Sequence, residues 1–225
     1  MLNQLFQSPA GEWLKHLFNL LFPLRCCHCR EFSDVPICEK CREQIAYINE
    51  KQQLSGMPVH CIAAYEGVIK KAIWQLKFNK KIELQDLLQS IVSGNVPAEY
   101  KNYDYLVPVP LSYKRLKERG FNQAELLVSE VSSKSGKPVY NDLVTRNKNT
   151  KALFSLTETE RQQEIDGAFA IKDSGSVKDK RILLFDDIIT TGTTVTEIGN
   201  MLKQAGAREV YILGLAKTRK RISKK

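Results

Sequence analysis

The stretch Arg181-Ile-Leu-Leu-Phe-Asp-Asp-Ile-Ile-Thr-Thr-Gly-Thr-Thr194 limits the folds open to this chain more than any other. Ile182 to Phe185 reads as a strand buried on both faces of a parallel sheet, and the run is expected to stop at the adjacent carboxylates Asp186 and Asp187. Two apolar residues and a hydroxyl-rich turn, Thr190-Thr191-Gly192-Thr193-Thr194, follow. A helical pattern then places Val195, Ile198, Met201, Leu202 and Ala205 on one face, with Gly206 as its stop. Strand, acidic pair, small-residue turn and helix together predict an α/β domain built on a parallel sheet.

The same order of residues has a chemical reading. A helix N-terminus exposes unpaired N–H groups and the positive end of its dipole, so it stabilises an anion. Threonine hydroxyls add donors, and Gly192 lets the backbone close around the anion without a Cβ in the way. The two carboxylates accept hydrogen bonds from vicinal sugar hydroxyls. Phosphate at one end and a diol at the other describe a ribose 5-phosphate. The plainer reading is a well-capped βα turn, but paired carboxylates at the end of a buried strand are costly without a ligand or partner. Position by position, the stretch resembles the 5-phosphoribosyl-1-pyrophosphate (PRPP) motif of type I phosphoribosyltransferases.

Near the other end, Cys26 and Cys29 form one C-x-x-C pair, and Cys38 and Cys41 form a second. Four thiolates from two such knuckles can hold zinc tetrahedrally, and so short a segment needs the metal to fold. A redox C-x-x-C is the rival, but it would use only one pair, at a helix start. Cys27 and His28 lie inside the first knuckle and are read as bystanders. Cys61, set among apolar residues, is read as a small buried hydrophobe. Arg25, Arg30, Lys40 and Arg42 flank the thiolates and offset their charge. A closed four-cysteine site has no open position and is assigned no catalysis.

The formal net charge of +9 favours polyanionic partners, nucleic acid and phosphorylated metabolites alike. Metal spacing of the cysteines and the lack of a secretory signal point to a reducing cytoplasm. No apolar run reaches membrane-spanning length. Trp13, Leu14, Leu17, Phe18, Leu21 and Phe22 make an apolar helical stripe, read as a helix packing on the next module or on a partner. The polar stretch from Glu43 to Gly56 is taken as a boundary. It divides an N-terminal helix and zinc module (1–56) from a phosphoribosyltransferase-like domain with a basic tail (57–225).

Within the larger domain, helices are expected over Val68–Leu76 and Leu84–Val92. Between them lie Lys77, Phe78, Lys80 and Lys81, a solvated turn or a nucleic-acid patch. Tyr105-Leu-Val-Pro-Val-Pro110 is a strand running into a proline-limited turn. After it, Lys114, Arg115, Lys117 and Arg119 precede a helix through Ala124 and Val131, a cationic version of the same anion-receiving layout. Arg146, Lys148 or Lys151 belongs to a polar segment suited to a lid, and Thr157 with Glu160 has capping-box spacing.

Three stretches together resemble the ComF (competence protein F) family of phosphoribosyltransferase-like proteins: the double C-x-x-C, Val107-Pro-Val-Pro through Arg119-Gly-Phe-Asn-Gln-Ala-Glu125, and Phe185 to Thr194. Tyr65-Glu-Gly67 and Leu76-Lys-Phe78 fit the family's middle region. The resemblance implies a type I phosphoribosyltransferase fold preceded by a zinc-ribbon-like module. It also implies a role in natural transformation, handling incoming single-stranded DNA in the cytoplasm beside a DNA-uptake helicase. Leu153 stands where the family often has Gln, and Glu164 where it often has Asn.

These residues then take roles. Thr190, Thr191, Gly192, Thr193 and Thr194 would hold the 5-phosphate of PRPP, and Asp186 and Asp187 its ribose hydroxyls. Arg115 and Arg119 would take the pyrophosphate, with Mg²⁺ bridging ligand oxygens. Three readings follow: a DNA-uptake protein keeping a phosphoribosyl pocket and contacting single-stranded DNA, an active phosphoribosyltransferase on an unidentified acceptor, or a structural adaptor for the helicase.

Overall fold

A computed structural model describes residues 24–147 and 167–219. The apolar stripe at 13–22, Lys148, Lys151, Leu153, the Thr157–Glu160 pair, Glu164 and the basic tail beyond Arg219 lie outside the described residues.

Five strands form the main sheet in the order β1-β2-β7-β6-β3: β1 (Tyr47–Leu54), β2 (Met57–Ala64), β3 (Tyr105–Pro108), β6 (Arg181–Ile189) and β7 (Glu209–Lys217). β2, β7, β6 and β3 run parallel, and β1 pairs antiparallel with β2. Ile182, Leu183, Leu184 and Phe185 are all fully buried, as a central parallel strand covered on both faces requires. A small antiparallel pair, β4 (Val144–Arg146) and β5 (Phe169–Ile171), stands apart.

The polar stretch read as a boundary is itself largely a strand. Along β1, Ile48, Glu50, Gln52 and Leu54 are half-buried, while the residues between them are exposed. This is an edge strand whose inward face carries two polar side chains, so its period-2 pattern is weak in hydrophobicity. A two-residue turn, Ser55-Gly56, with positive φ at both positions closes the β1–β2 hairpin.

Helices cover both faces. α1 (Glu39–Arg42) belongs to the cysteine segment; α2 (Gly67–Asn79), α3 (Gln85–Gly94) and α5 (Gln123–Ser135) pack on one face. Cys26, Cys27, Ile37, Cys41 and Ile45 join that same core, against Val68, Ile69 and Ile73 of α2. The cysteine segment is therefore built into the domain's packing, and Lys71 of α2 donates to the His28 carbonyl at 3.0 Å. α6 (Thr193–Gln204) packs on the other face with Val195, Ile198 and Leu202 inward. The cationic segment after β3 is not a loop: Tyr113–Arg119 forms a short helix, α4, whose N-cap Ser112 accepts from the Arg115 N–H.

Candidate functional site

β6 runs through the acidic pair instead of ending at it: Asp186 and Ile188 continue the ladder opposite Gly214 and Ala216 of β7. The two carboxylates stay close enough for the Asp187 charge to raise the Asp186 carboxyl, and the Lys77 ammonium acts on Asp186 as well. Asp187, 8% exposed, meets α2, and its Oδ2 lies 2.5 Å from the Lys77 ammonium. That contact is an ion pair without aligned hydrogen-bond geometry, leaving Oδ2 otherwise unpartnered. Burial pushes the Tyr65 phenol up, and the Asp187 carboxylate adds to the effect. Burial also lowers the Arg119 guanidinium, while Asp187 opposes that shift and Arg115 reinforces it. Lys77, Tyr65 and Arg119 thus share the field of one buried carboxylate.

Arg119 is held in place. Its Nη1 donates to Gln123 Oε1 at 2.7 Å, and its guanidinium lies 5.3 Å from the centre of the Phe78 ring. Arg115 stands one turn earlier on α4, half-buried. Lys77 was the residue sequence reading left unplaced, as part of a turn that was either solvated or nucleic-acid-binding. Its one signal was its position in Leu76-Lys-Phe78.

Asp186 faces the hydroxyl-rich turn. With Ile188, Ile189 and residues 190–195 it lines a shallow depression. Thr191 and Thr193 hydroxyls lie 2.7 Å apart, and Gly192 caps α6 with φ 84. No acceptor among the described residues reaches the N–H of Thr194 or Val195, so the turn presents free donors at a helix N-terminus. Leu54 of β1 packs on this turn: a Cβ added at Gly192 would lie 2.3 Å from Leu54 Cδ1. A second, open cavity of about 350 Å³ shares Thr190 and Thr191 and is completed by Glu50, Gln52, Lys217, Thr218 and Arg219. Lys217 Nζ donates to Gln52 Oε1 at 2.8 Å and pairs with Glu50.

The four cysteines Cys26, Cys29, Cys38 and Cys41 come together with all ligand atoms within 4.8 Å of one another. Zinc–sulfur bonds of about 2.3 Å in a tetrahedron set sulfurs roughly 3.8 Å apart, and Cys29 and Cys38 Sγ lie at 3.7 Å. Burial raises the Cys26 thiol, but backbone N–H groups of Cys38, Cys29 and His28 outweigh it and bring it down to about 6. Donors aimed at a sulfur suit a thiolate ligand. Cys27 stays outside the cluster, and burial pushes its thiol up to about 11. The residues present can hold a zinc-sized ion.

A phosphoribosyl transferase domain family matches residues 105–225. Competence protein F of Haemophilus influenzae is 28% identical over 224 residues, covering 87% of this chain and 98% of its own length. Competence protein ComFC of Streptococcus pneumoniae is 33% identical over 162 residues, 72% of this chain and 69% of its own. The chain belongs to the competence protein F family. DNA utilization protein YhgH of Escherichia coli is a further relative, 30% identical over 162 residues and 70% of each chain. The α/β domain is thus a type I phosphoribosyltransferase fold with a four-cysteine cluster in front. Among the described residues no helix is long and apolar enough to cross a membrane.

Asp186 gives this family member a pH-dependent stability. Burial, then the neighbouring Asp187, raises its carboxyl from 3.8 to about 7. A folded-state pKa above the unfolded one makes a contribution that is complete below the ordinary value and lost as pH rises through 7. Asp186→Asn keeps an acceptor for the Asp187 N–H, now bonded to Asp186 Oδ1 at 2.9 Å, and removes the charge. It is expected to raise the melting temperature at pH 8.5 by about 5 °C, after solvent screening is allowed for, and by roughly a third as much at pH 5. Equal shifts at both pH values, by scanning fluorimetry, would refute the assignment.

Proposed function

We propose that this protein serves DNA uptake in the cytoplasm, holding a phosphoribosyl ligand of the PRPP type and contacting single-stranded DNA. The observation that carries the ligand reading is convergence: α4 follows β3 and brings Arg119 into the field of Asp187, while Asp186 lines a depression with the turn that leads from β6 into α6. Open α/β sheets bind their ligands at such strand ends. In this reading Thr190 to Thr194 hold the 5-phosphate, Asp186 and Asp187 the ribose hydroxyls, and Arg119 with Arg115 the pyrophosphate. Mg²⁺ would arrive with the ligand's own oxygens: among the described residues only the four cysteines form a metal-ligating group of three or more. Competence and DNA-utilization relatives, with a net charge of +9, support the DNA arm.

Turnover is the second reading, favoured by the cavity beside Thr190 and Thr191, which offers carboxylate, amide, ammonium and hydroxyl groups to an acceptor. Positioning and charge would carry such a transfer, with the cationic Arg119 and Arg115 neutralising departing pyrophosphate.

Calorimetry with PRPP and Mg²⁺ tests the pocket. Wild type is expected to bind, Asp187→Asn to weaken binding at least about tenfold, and Arg119→Ala to weaken PRPP more than ribose 5-phosphate. Circular dichroism confirms that each variant is folded. No heat from the wild type ends the ligand reading; equal losses for both ligands in Arg119→Ala remove the pyrophosphate role.

A further inference from the structure

The solvent face of α2 carries Lys70, Trp74 and Phe78 at successive turns, while the opposite face buries Val68, Ile69, Ala72, Ile73 and Leu76. An amphipathic helix ordinarily sets polar residues where Trp74 and Phe78 stand, yet these are 47% and 58% exposed. Their ring centres lie 5.6 Å apart, tilted by 41°. The Arg119 guanidinium sits over Phe78. Lys70 and Lys80 are exposed at either end of the pair, and neither has an ion-pair partner among the described residues. Two large rings, left to solvent and flanked by two lysines without ion-pair partners among the described residues, are costly decoration for a face with no ligand.

We infer that this face is a stacking platform for single-stranded nucleic acid, with bases on Trp74 and Phe78 and phosphates beside Lys70, Lys80 and Arg119. The inference rests on the reading above that such a strand touches the protein, and it assigns the place. Every base presents a π-face, so stacking on exposed rings is tolerant of sequence, and the flanking cations supply the salt-dependent part of the affinity. The charge complementarity is specific to a polyanion: a neutral apolar partner seated here would leave Lys70 and Lys80 without counter-charges. Bases paired in a duplex hide their faces, which favours the single strand.

The chain has two tryptophans, so Trp13→Phe in the full-length protein leaves Trp74 as the sole reporter. An oligothymidylate is expected to quench its emission, less so as salt rises, and the matching duplex to quench it weakly. Trp74→Ala and Phe78→Ala are each expected to weaken oligonucleotide binding about tenfold by anisotropy, with Phe78→Tyr restoring most of it. Thermal melts check that these exposed substitutions leave the fold intact. Binding of the oligonucleotide by wild type with no quenching and no loss in either alanine variant overturns the platform while leaving the DNA reading in place. No binding by wild type at all overturns both. Quenching by anionic phospholipid vesicles alone would make this a membrane face. A blue-shifted Trp74 that oligonucleotide leaves unmoved would make it a seat for the apolar segment 13–22; either result overturns the inference.

Discussion

Cys38→Ser protein is expected to carry no zinc and to melt about 10 °C below wild type as a whole, instead of shedding an N-terminal appendage. Two observations combine in this result. The sulfurs of Cys26, Cys29, Cys38 and Cys41 already stand at the spacing of a tetrahedral site, so each thiolate contributes to one ion and losing one opens the shell. The segment they hold is also part of the domain's core: Cys26, Cys27, Ile37, Cys41 and Ile45 pack with Val68, Ile69 and Ile73, and Lys71 reaches the His28 carbonyl. Freeing that segment exposes the buried face of α2, the helix that also brings Lys77 to Asp187. Elemental analysis should find about one zinc per wild-type chain and none in the variant, and a chelator should reproduce the variant's melting curve. A metal-free wild type with an unchanged melt would sink the claim.

Much of the site was legible because its residues are contiguous. The strand, the acidic pair, the threonine turn and the helix occupy one stretch, and their order alone predicts their neighbourhood. The paired cysteines were legible for the same reason. What was hidden depended on distant residues or on weak patterning. Lys77 lies 110 positions from Asp187, and nothing local separates a buried, paired lysine from a solvated one. β1 escaped because Glu50 and Gln52 face inward, toward Lys217, where a sequence reader expects apolar side chains. The end of β6 is hidden because carboxylates ordinarily stop a buried strand, whereas here Lys77 offsets the charge of one and a raised pKa that of the other. Arg115 and Arg119 stand on α4, a short helix after β3, and that setting depends on Ser112, which reads as an ordinary loop residue until its hydroxyl caps the helix.

Gly192→Ala should show how closely the candidate phosphate turn depends on β1. Gly192 has φ 84, where a side chain costs about 1–2 kcal/mol. The new Cβ would also fall 2.3 Å from Leu54 Cδ1. The two-residue Ser55-Gly56 turn ties the Leu54 backbone to Met57, so relief must come from rotation of its half-buried side chain. The expected cost is about 3 kcal/mol in urea unfolding, part backbone strain and part overpacking. Leu54→Ala alone should cost about 1 kcal/mol, because Leu54 is only half-buried. With both changes the clash disappears while the strain remains, so the double variant should cost about 2 kcal/mol, well under the sum. Affinity for ribose 5-phosphate should follow the same course: it falls when Gly192→Ala pushes the turn off its place, and largely returns once Leu54→Ala lets the turn settle back. Strictly additive costs would mean that Leu54 does not position the turn. Recovered stability without recovered affinity would mean that the small residue at Gly192 serves the anion itself, through close approach of the backbone, and that β1 is only its neighbour.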